Sequence, residues 1–387
     1  MRVVLITDTF LPKIDGIVTT ICHVLDHLAV RGVEAMVLAP SGGPTVYAGM
    51  PVRGWRGYTV PLYGEVQLVP PTVNLTQTLR AFQPDLVHLF NPVSLGLAGL
   101  RQAKRINIPV VASYHTDLPG FLRRWHLPFL AAPTRAFLRW IHNQADLNLV
   151  PSEATRHELE DTGFERLGVW PHGVDTVNFH PKHREPAWRN WLTQGQDEWP
   201  LLLYVGRLSP EKQIERLRPL LDHLPRTRLA IVGDGPARRR LEKLFAGTPT
   251  VFTGYLRGRD LAQTYASADL FVSPAANETF GCTVSEAMAS ALPVVTVNTG
   301  GPTDFVRHGE TGWLAEPDND AALLAGVRHL LQDKPLRKKM GAAARAHAET
   351  MTWSAVCDLL LQTYHSLSRT VPPDITSTPS AILSSAE

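Results

Sequence analysis

The sequence predicts an α/β protein of two domains, each an open parallel sheet wrapped by helices, facing one another across a cleft. Three observations carry that expectation. The chain has 387 residues, and roughly 150 residues per domain gives two domains. Short β-branched runs alternate with amphipathic stretches from end to end, the mark of repeated βαβ units. These runs fall into two series, with a stretch of no clean periodicity between them.

The first series comprises the mostly apolar runs 3–6, 35–39, 86–90, 110–114 and 147–150, as expected for parallel strands covered on both faces. Between its first two members, Ile17, Ile21, Val24, Leu25 and Leu28 form a stripe at helical spacing that Gly32 stops,. The second series runs 201–205, 229–232, 251–252, 270–272 and 294–297. The predicted boundaries are 1–180 for the N-terminal domain and 201–350 for the C-terminal one, with 181–200, rich in polar residues, Trp and Pro, as the connection,. Trp353, Val356, Leu359, Leu360, Thr363 and Tyr364 make a last helical stripe within 351–370, expected to pack back toward the N-terminal domain. The Pro-, Ser- and Thr-rich tail 371–387 is expected to be disordered,.

Composition narrows the function. Hydrophobic residues at 44% and charged residues at 19% fit a soluble enzyme with sizeable cores and exclude disorder as the dominant state. Lys and Arg number 38 against 36 Asp and Glu, too balanced for a dedicated nucleic-acid binder. Cys22, Cys282 and Cys357 lie far apart and form no CxxC pattern, which fits a reducing compartment. The first apolar run is short and ends at Asp8, so it reads as a buried strand and not a signal peptide. No run approaches 18 apolar residues,. The expectation is a soluble, cytoplasmic protein.

Strand ends are where parallel sheets bind ligands. After the first strand, the loop 7–16 leads through Gly16 into a helix whose N-terminus attracts anions, or is a plain helix-entry turn,. No G-x-G-x-x-G follows, which argues against a nicotinamide enzyme. His115 ends another strand, aimed at the cleft and within reach of Asp117; His88, inside an apolar strand, reads as core. Gly206, Arg207 and Lys212 follow the first strand of the second series. They suit a diphosphate, Arg207 as a fork and Lys212 as a point charge, or form a solvated basic loop. Gly233, Asp234 and Gly235 can bring backbone amides near a ligand, a turn that is common elsewhere,.

The most specific segment is 277–288, where Glu278 and Glu286 flank a glycine turn and a helix begins near Thr283. Amides at that helix start suit phosphate, and Glu286 one turn in suits sugar hydroxyls. Asp318-Asn319-Asp320 has the look of a metal motif but falls in a late surface turn.

These residues resemble a known family. Glu278-x7-Glu286 with Phe280-Gly281, Ala287-Met288-Ala289, Pro293-Val294-Val295 and Gly300-Gly301-Pro302 is similar to the donor-site signature of retaining family-4 glycosyltransferases. Gly206-Arg207-Leu208-x3-Lys212, Gly233-Asp234-Gly235-Pro236, His172-Gly173-Val174-Asp175 and Phe179-His180-Pro181 match further elements of that family. Tyr114-His115-Thr116, the segment 145–152, Gly254-Tyr255-Leu256 and the segment 265–269 resemble its glycolipid-forming branch of diacylglycerol glucosyl-, mannosyl- and sulfoquinovosyltransferases. The opening 8–18 looks more like the mannosyl and glucosyl members, with Asp15-Gly16 where many relatives carry Gly-Gly.

The resemblance implies the GT-B fold, with two Rossmann-like doubly wound domains, acceptor on the first and nucleotide sugar on the second. It implies no cofactor and no metal, the donor being a UDP-sugar or GDP-mannose. Arg207 and Lys212 hold the diphosphate, and Glu286 holds the ribose. Glu278, Phe280, Gly281, Cys282 and Thr283 hold the sugar and phosphate. Gly206, Gly233, Asp234 and Gly235 line the donor, Gly16 faces its phosphate from the first domain, and His115 contacts the sugar near the anomeric carbon. Retention in the family is taken to need no enzyme nucleophile.

Phe121, Arg123, Arg124, Trp125 and the basic, aromatic stretch 135–140 follow His115. This is the composition of an interfacial segment or of a core helix with a charged outer face. The expected acceptor is a membrane lipid at an anionic surface on the inner face of the plasma membrane. A soluble sugar acceptor and a non-catalytic nucleotide-sugar-binding protein are the competing readings.

Overall fold

The computed structural model describes residues 1–13, 15–60, 63–124, 127–276 and 278–368. Trp125 and the tail 371–387 lie outside the described residues, as do the side chains of Arg123 and Arg124. The chain divides into two compact units. The first holds Met1–Pro151, Arg156–Pro171 and the chain from Val356 on; the second holds Ser152–Thr155 and His172–Ala355.

The strands of the first unit are β1 (Arg2–Thr7), β2 (Glu34–Pro40), β3 (Val46–Tyr47), β4 (Met50–Trp55), β5 (Tyr58–Val60), β6 (Tyr63–Leu68), β7 (Leu86–Phe90), β8 (Val110–Ser113), β9 (Leu147–Val150) and β10 (Leu167–Val169). β5 and β6 form a separate hairpin, and the rest form one sheet in the order β10-β9-β8-β7-β1-β2-β4-β3. All pairs in it are parallel except β3 with β4. Every residue of β7, β8 and β9 is buried, which is why these strands read as near-continuous apolar runs. Strand order reverses between β1 and β7, the doubly wound arrangement.

An acid of the chain itself fills that switch point. The Asp8 carboxylate accepts from the amides of Val93 (2.8 Å), Ser94 (3.1 Å) and Leu95 (2.7 Å) and from Ser94 Oγ (2.6 Å). The N-terminus of the helix Leu95–Arg105 therefore already carries its anion.

The second unit contains β11 (Leu201–Val205), β12 (Arg228–Val232), β13 (Thr250–Gly254), β14 (Leu270–Ser273), β15 (Val294–Val297) and β16 (Gly312–Ala315). Their order is β13-β12-β11-β14-β15-β16, all parallel. The switch point lies between β11 and β14, and the loops that follow these strands carry most of the candidate donor residues.

The units divide at Pro171/His172, and 181–200 falls within the second one instead of linking two domains. The helix Pro186–Thr193 lies there, with Leu192 in the same core as Leu201 and Leu203. Its polar look comes partly from buried Arg189, which donates to Ser267 O (2.7 Å) and to Asp269 (2.9 Å). Asp318-Asn319-Asp320 starts a helix: Asn319 accepts from the Ala322 amide at 3.0 Å, and Asp320 pairs with Arg216.

The helix Trp353–Ser368 rejoins the first unit at Val356. Trp170 Nε1–H donates to Val356 O (3.0 Å), and Asp358 accepts from Arg31 (2.5 Å) and pairs with His27 (2.9 Å). Among the described residues, no helix is long and apolar enough to cross a membrane.

Candidate active site

In the second unit, Gly206 and Arg207 leave β11 with the Gly206 amide donating to Val232 O (3.0 Å), which ties the loop to the end of β12. Arg207 is exposed. Lys212 ends the short turn Pro210–Lys212, and its Nζ lies 2.6 Å from Glu278 Oε1. The side chains of both are about four-fifths buried, at 21% and 17% exposure. The cation and the acid that the sequence singles out separately thus stand together as one ion pair.

After β12, the Leu208 amide donates to Asp234 O (2.9 Å). The Asp234 carboxylate takes Arg238 (2.6 Å) and the Gly235 amide (2.7 Å), and these two bonds hold it below the usual carboxylate range. Its side chain serves its own loop, leaving Gly233 and Gly235 to offer backbone.

After β14 the chain runs through Glu278 and Phe280 to Gly281, at φ 96°, and enters the helix Cys282–Ala289. Its N-cap, Gly281, has no side chain to cap it. The Val284 and Ser285 amides bond Gly281 O at 2.9 and 3.2 Å, so of the helix start it is the Cys282 and Thr283 amides that suit an anion, not those of Val284 and Ser285. Gly301 supports the loop from below. Its amide donates to Glu278 O (2.7 Å), and a Cβ there would stand 2.4 Å from Phe280 Cα. Cys282 is exposed, and the Thr283 carbonyl accepts from Tyr265 Oη (3.3 Å).

Glu286 sits one turn in. Burial pushes its carboxyl up to about 7, the Tyr265 hydroxyl donating to Oε2 at 2.7 Å lowers it, and the nearby charge of Asp175 raises it again. Tyr265 is fully buried. His172 stacks on Phe280 with ring centroids 5.2 Å apart, and its Nδ1 lies 3.9 Å from Cys282 Sγ. Burial lowers its pKa to about 4, leaving the ring neutral at pH 7. Tyr265 and His172 gain roles here that their motifs did not disclose. The sequence places both in recognisable strings, but the contact that matters spans long stretches of chain.

In the first unit, Gly16 opens the helix Gly16–Val30, whose first turn is capped by Asp15 accepting from the Val18 amide (2.9 Å). His115 follows β8 and is stacked on Phe90 at 5.6 Å and 5°. Trp170 meets it edge-on at 6.2 Å. Asp117 Oδ1 accepts from the Gly120 amide (2.9 Å) at the start of the helix Leu118–Arg124. His88 is fully buried, and burial lowers it to about 3.

Arg123 and Arg124 lie in that helix. Beyond it, Phe129 (69% exposed), Phe137 and Trp140 project to the surface. Phe137 and Trp140 stack at 6.2 Å, and the Arg101 guanidinium lies 6.0 Å from the Trp140 ring centre.

Comparison with known proteins identifies the family. Residues 14–178 match Glycosyltransferase Family 4, and residues 193–347 match Glycosyl transferases group 1. Sulfoquinovosyl transferase SQD2 of Arabidopsis thaliana is 38% identical over 337 residues, covering 85% of this chain and 66% of that protein. A GDP-mannose-dependent alpha-mannosyltransferase of Mycobacterium tuberculosis is 38% identical over 376 residues, 95% of this chain and 97% of that one. The crystal structure of Anabaena Alr3699/HepE in complex with UDP superposes with a TM-score of 0.76 at 21% identity, covering 95% of this chain and all of that one.

Proposed function

The chain belongs to the glycosyltransferases, a family 4 region followed by a group 1 region on the GT-B fold, and from that premise we propose a retaining, metal-independent hexosyl transfer from a nucleotide sugar to a hydroxyl of a membrane lipid. The observation that carries the reading is the open N-terminus of the helix Cys282–Ala289 with Lys212, Glu278 and Glu286 beside it.

The donor is a UDP-sugar or GDP-mannose. Its diphosphate takes the helix amides together with Lys212 and Arg207, whose cations supply the charge that a metal would otherwise bring. Glu286 accepts from the ribose hydroxyls. Glu278 accepts from the sugar, with Phe280, Gly281, Cys282 and Thr283 shaping that side, and Gly206, Gly233, Asp234 and Gly235 contribute backbone. Gly16 and His115 of the first unit keep their implied roles toward phosphate and sugar.

The acceptor oxygen attacks the anomeric carbon on the face that the diphosphate leaves, so configuration is kept. The bond from that carbon to the phosphate oxygen breaks, and the departing diphosphate takes the hydroxyl proton. The protein's share is positioning and stabilisation of the leaving charge.

The lipid acceptor is supported by the resemblance of 114–116, 145–152 and 265–269 to the glycolipid-forming branch. The exposed Phe129, Phe137 and Trp140, which follow Arg123, Arg124 and Trp125 in the sequence, suit the inner face of an anionic plasma membrane,. The test is turnover with UDP-glucose, UDP-galactose, UDP-sulfoquinovose and GDP-mannose, with and without diacylglycerol liposomes. Product on liposomes from one donor supports the reading, whereas a bound donor with product only on soluble sugars overturns the lipid part.

A further inference from the structure

The helix Trp353–Ser368 reaches the rings packed behind the residue assigned to the sugar. His115 is half-buried, and the rings around it form one connected cluster within the first unit. Phe90 lies between His115 and His88, parallel to the former (5.6 Å, 5°) and close to the latter (4.1 Å, 30°). Trp170 sets its edge against all three, at 6.2 Å from His115, 6.4 Å from Phe90 and 6.1 Å from His88. Phe90, His88 and Trp170 are each at most 3% exposed.

Both fixed points of this cluster belong to the helix Trp353–Ser368. Trp170 Nε1–H donates to Val356 O (3.0 Å), so the indole plane is set by the start of that helix. Tyr364, also fully buried, bonds His88 Nδ1 at 2.5 Å from near its end, and His88 Nε2 bonds Ser113 Oγ. Ser113 is two residues before His115. The imidazole is thus held by a stacked ring on one side, an edge-on ring on another, and a hydrogen-bond chain into its own strand.

Aromatic pairs of this kind attract beyond the area they bury. Fixed ring planes also narrow the orientations His115 samples. We infer that Trp170 and Phe90 are positioning residues for His115, and that the C-terminal helix, through Val356 and Tyr364, sets their planes. The inference rests on the reading that His115 contacts the transferred sugar.

The test uses the full chain with 13Cε1-labelled histidine, the His115 resonance being assigned from its loss in His115→Ala. Trp170→Leu removes the edge-on ring; Trp170→Phe restores a ring without the indole bond to Val356; Tyr364→Phe removes only the hydroxyl to His88. The expected result is a moved His115 resonance and a kcat reduced at least about tenfold in Trp170→Leu, with donor KM within about twofold. Trp170→Phe recovers only part of kcat and leaves the resonance partly moved, the remainder being the share of the Val356 bond, and Tyr364→Phe gives a smaller change of the same kind. An unmoved resonance or unchanged kcat in a folded Trp170→Leu, with His115→Ala inactive, overturns the inference alone. Full turnover in His115→Ala overturns the role of His115 and the inference with it. If Trp170→Leu fails to fold, Trp170→Phe and Tyr364→Phe decide by the same two readouts.

Discussion

Lys212 Nζ and Glu278 Oε1 stand 2.6 Å apart at the carboxyl end of the second sheet, each mostly buried and each the other's counter-charge. On the proposed donor site, an entering nucleotide sugar meets a cation already paired. Its diphosphate can draw Lys212 over, and its sugar hydroxyls can then satisfy the carboxylate that Lys212 leaves. The pair keeps the empty site from holding two uncompensated buried charges, which would each cost several kcal/mol.

Removing one partner should therefore hurt twice. Lys212→Ala is expected to reduce turnover more than tenfold, at least about 1.4 kcal/mol in the barrier, and to lower thermal stability because Glu278 is left alone. Glu278→Gln in the same background should return the stability but not the turnover. Steady-state kinetics and thermal melts of the two single variants and the double variant check this, and additive stability losses would contradict it.

Glu286 gives a pH signature. Its folded pKa of about 7 lies above the ordinary carboxyl value of 4.5, so the fold favours the protonated acid. Its contribution to stability is fully present below about 4.5 and is lost as pH rises through 7. Glu286→Gln should gain melting temperature over the wild type across that window and hold the gain above it. Ribose hydroxyls favour the carboxylate, so donor binding at pH 6.5 should release protons in the wild type and none in Glu286→Gln. Calorimetry in buffers of different ionisation enthalpy reads this directly.

Asp8 supplies a contrast between the two units. Its carboxylate closes the helix N-terminus at the first switch point, whereas the helix Cys282–Ala289 has no side-chain cap. Asp8→Ala strands three amides and a hydroxyl and should destabilise the protein by about 2 kcal/mol or more, with donor affinity unchanged. Denaturant melts together with donor titration separate these effects.

How far the sequence discloses all this depends on whether a feature is local. The strands β7, β11, β12, β14 and β15 are legible because burial on both faces writes apolar runs into them. The helix Pro186–Thr193 is not, since buried Arg189 and its neighbours look polar until Ser267 and Asp269 are folded beside them. The hairpin β5–β6 alternates apolar and polar only over Tyr58-Thr59-Val60 and Val66-Gln67-Leu68, runs too short to mark it. Glu278, Glu286 and Lys212 are legible within their own strings, yet the Lys212–Glu278 pair spans 66 residues and the Tyr265 support of Glu286 spans 21. The aromatic cluster behind His115 is hidden for the same reason: His88 reads correctly as core, and its bond to Tyr364 spans most of the sequence.

Gly301 tests the support beneath the donor loop. A methyl group there meets Phe280 Cα at 2.4 Å and Thr279 O at 2.5 Å, so the backbone of Glu278 to Phe280 must shift. Gly301→Ala should lose at least about a hundredfold in turnover, the order expected of a displacement near 1 Å, while far-ultraviolet dichroism stays native. Normal turnover would contradict the role given to that loop.

The surface beside the first unit's helix Leu118–Arg124 is tested with vesicles. Phe129→Ser with Trp140→Ser should reduce flotation with vesicles containing anionic lipid, and Arg123→Ala with Arg124→Ala should remove its salt sensitivity. Turnover on a short, soluble diacylglycerol should persist in both pairs.

The most direct test of the donor site is calorimetric titration of the wild type, Lys212→Ala and Glu286→Ala with UDP-glucose, UDP-sulfoquinovose and GDP-mannose. One nucleotide sugar is expected to bind the wild type, and each variant, folded, to bind it more than tenfold more weakly. Unweakened binding in both variants would place the donor elsewhere and contradict the assignment.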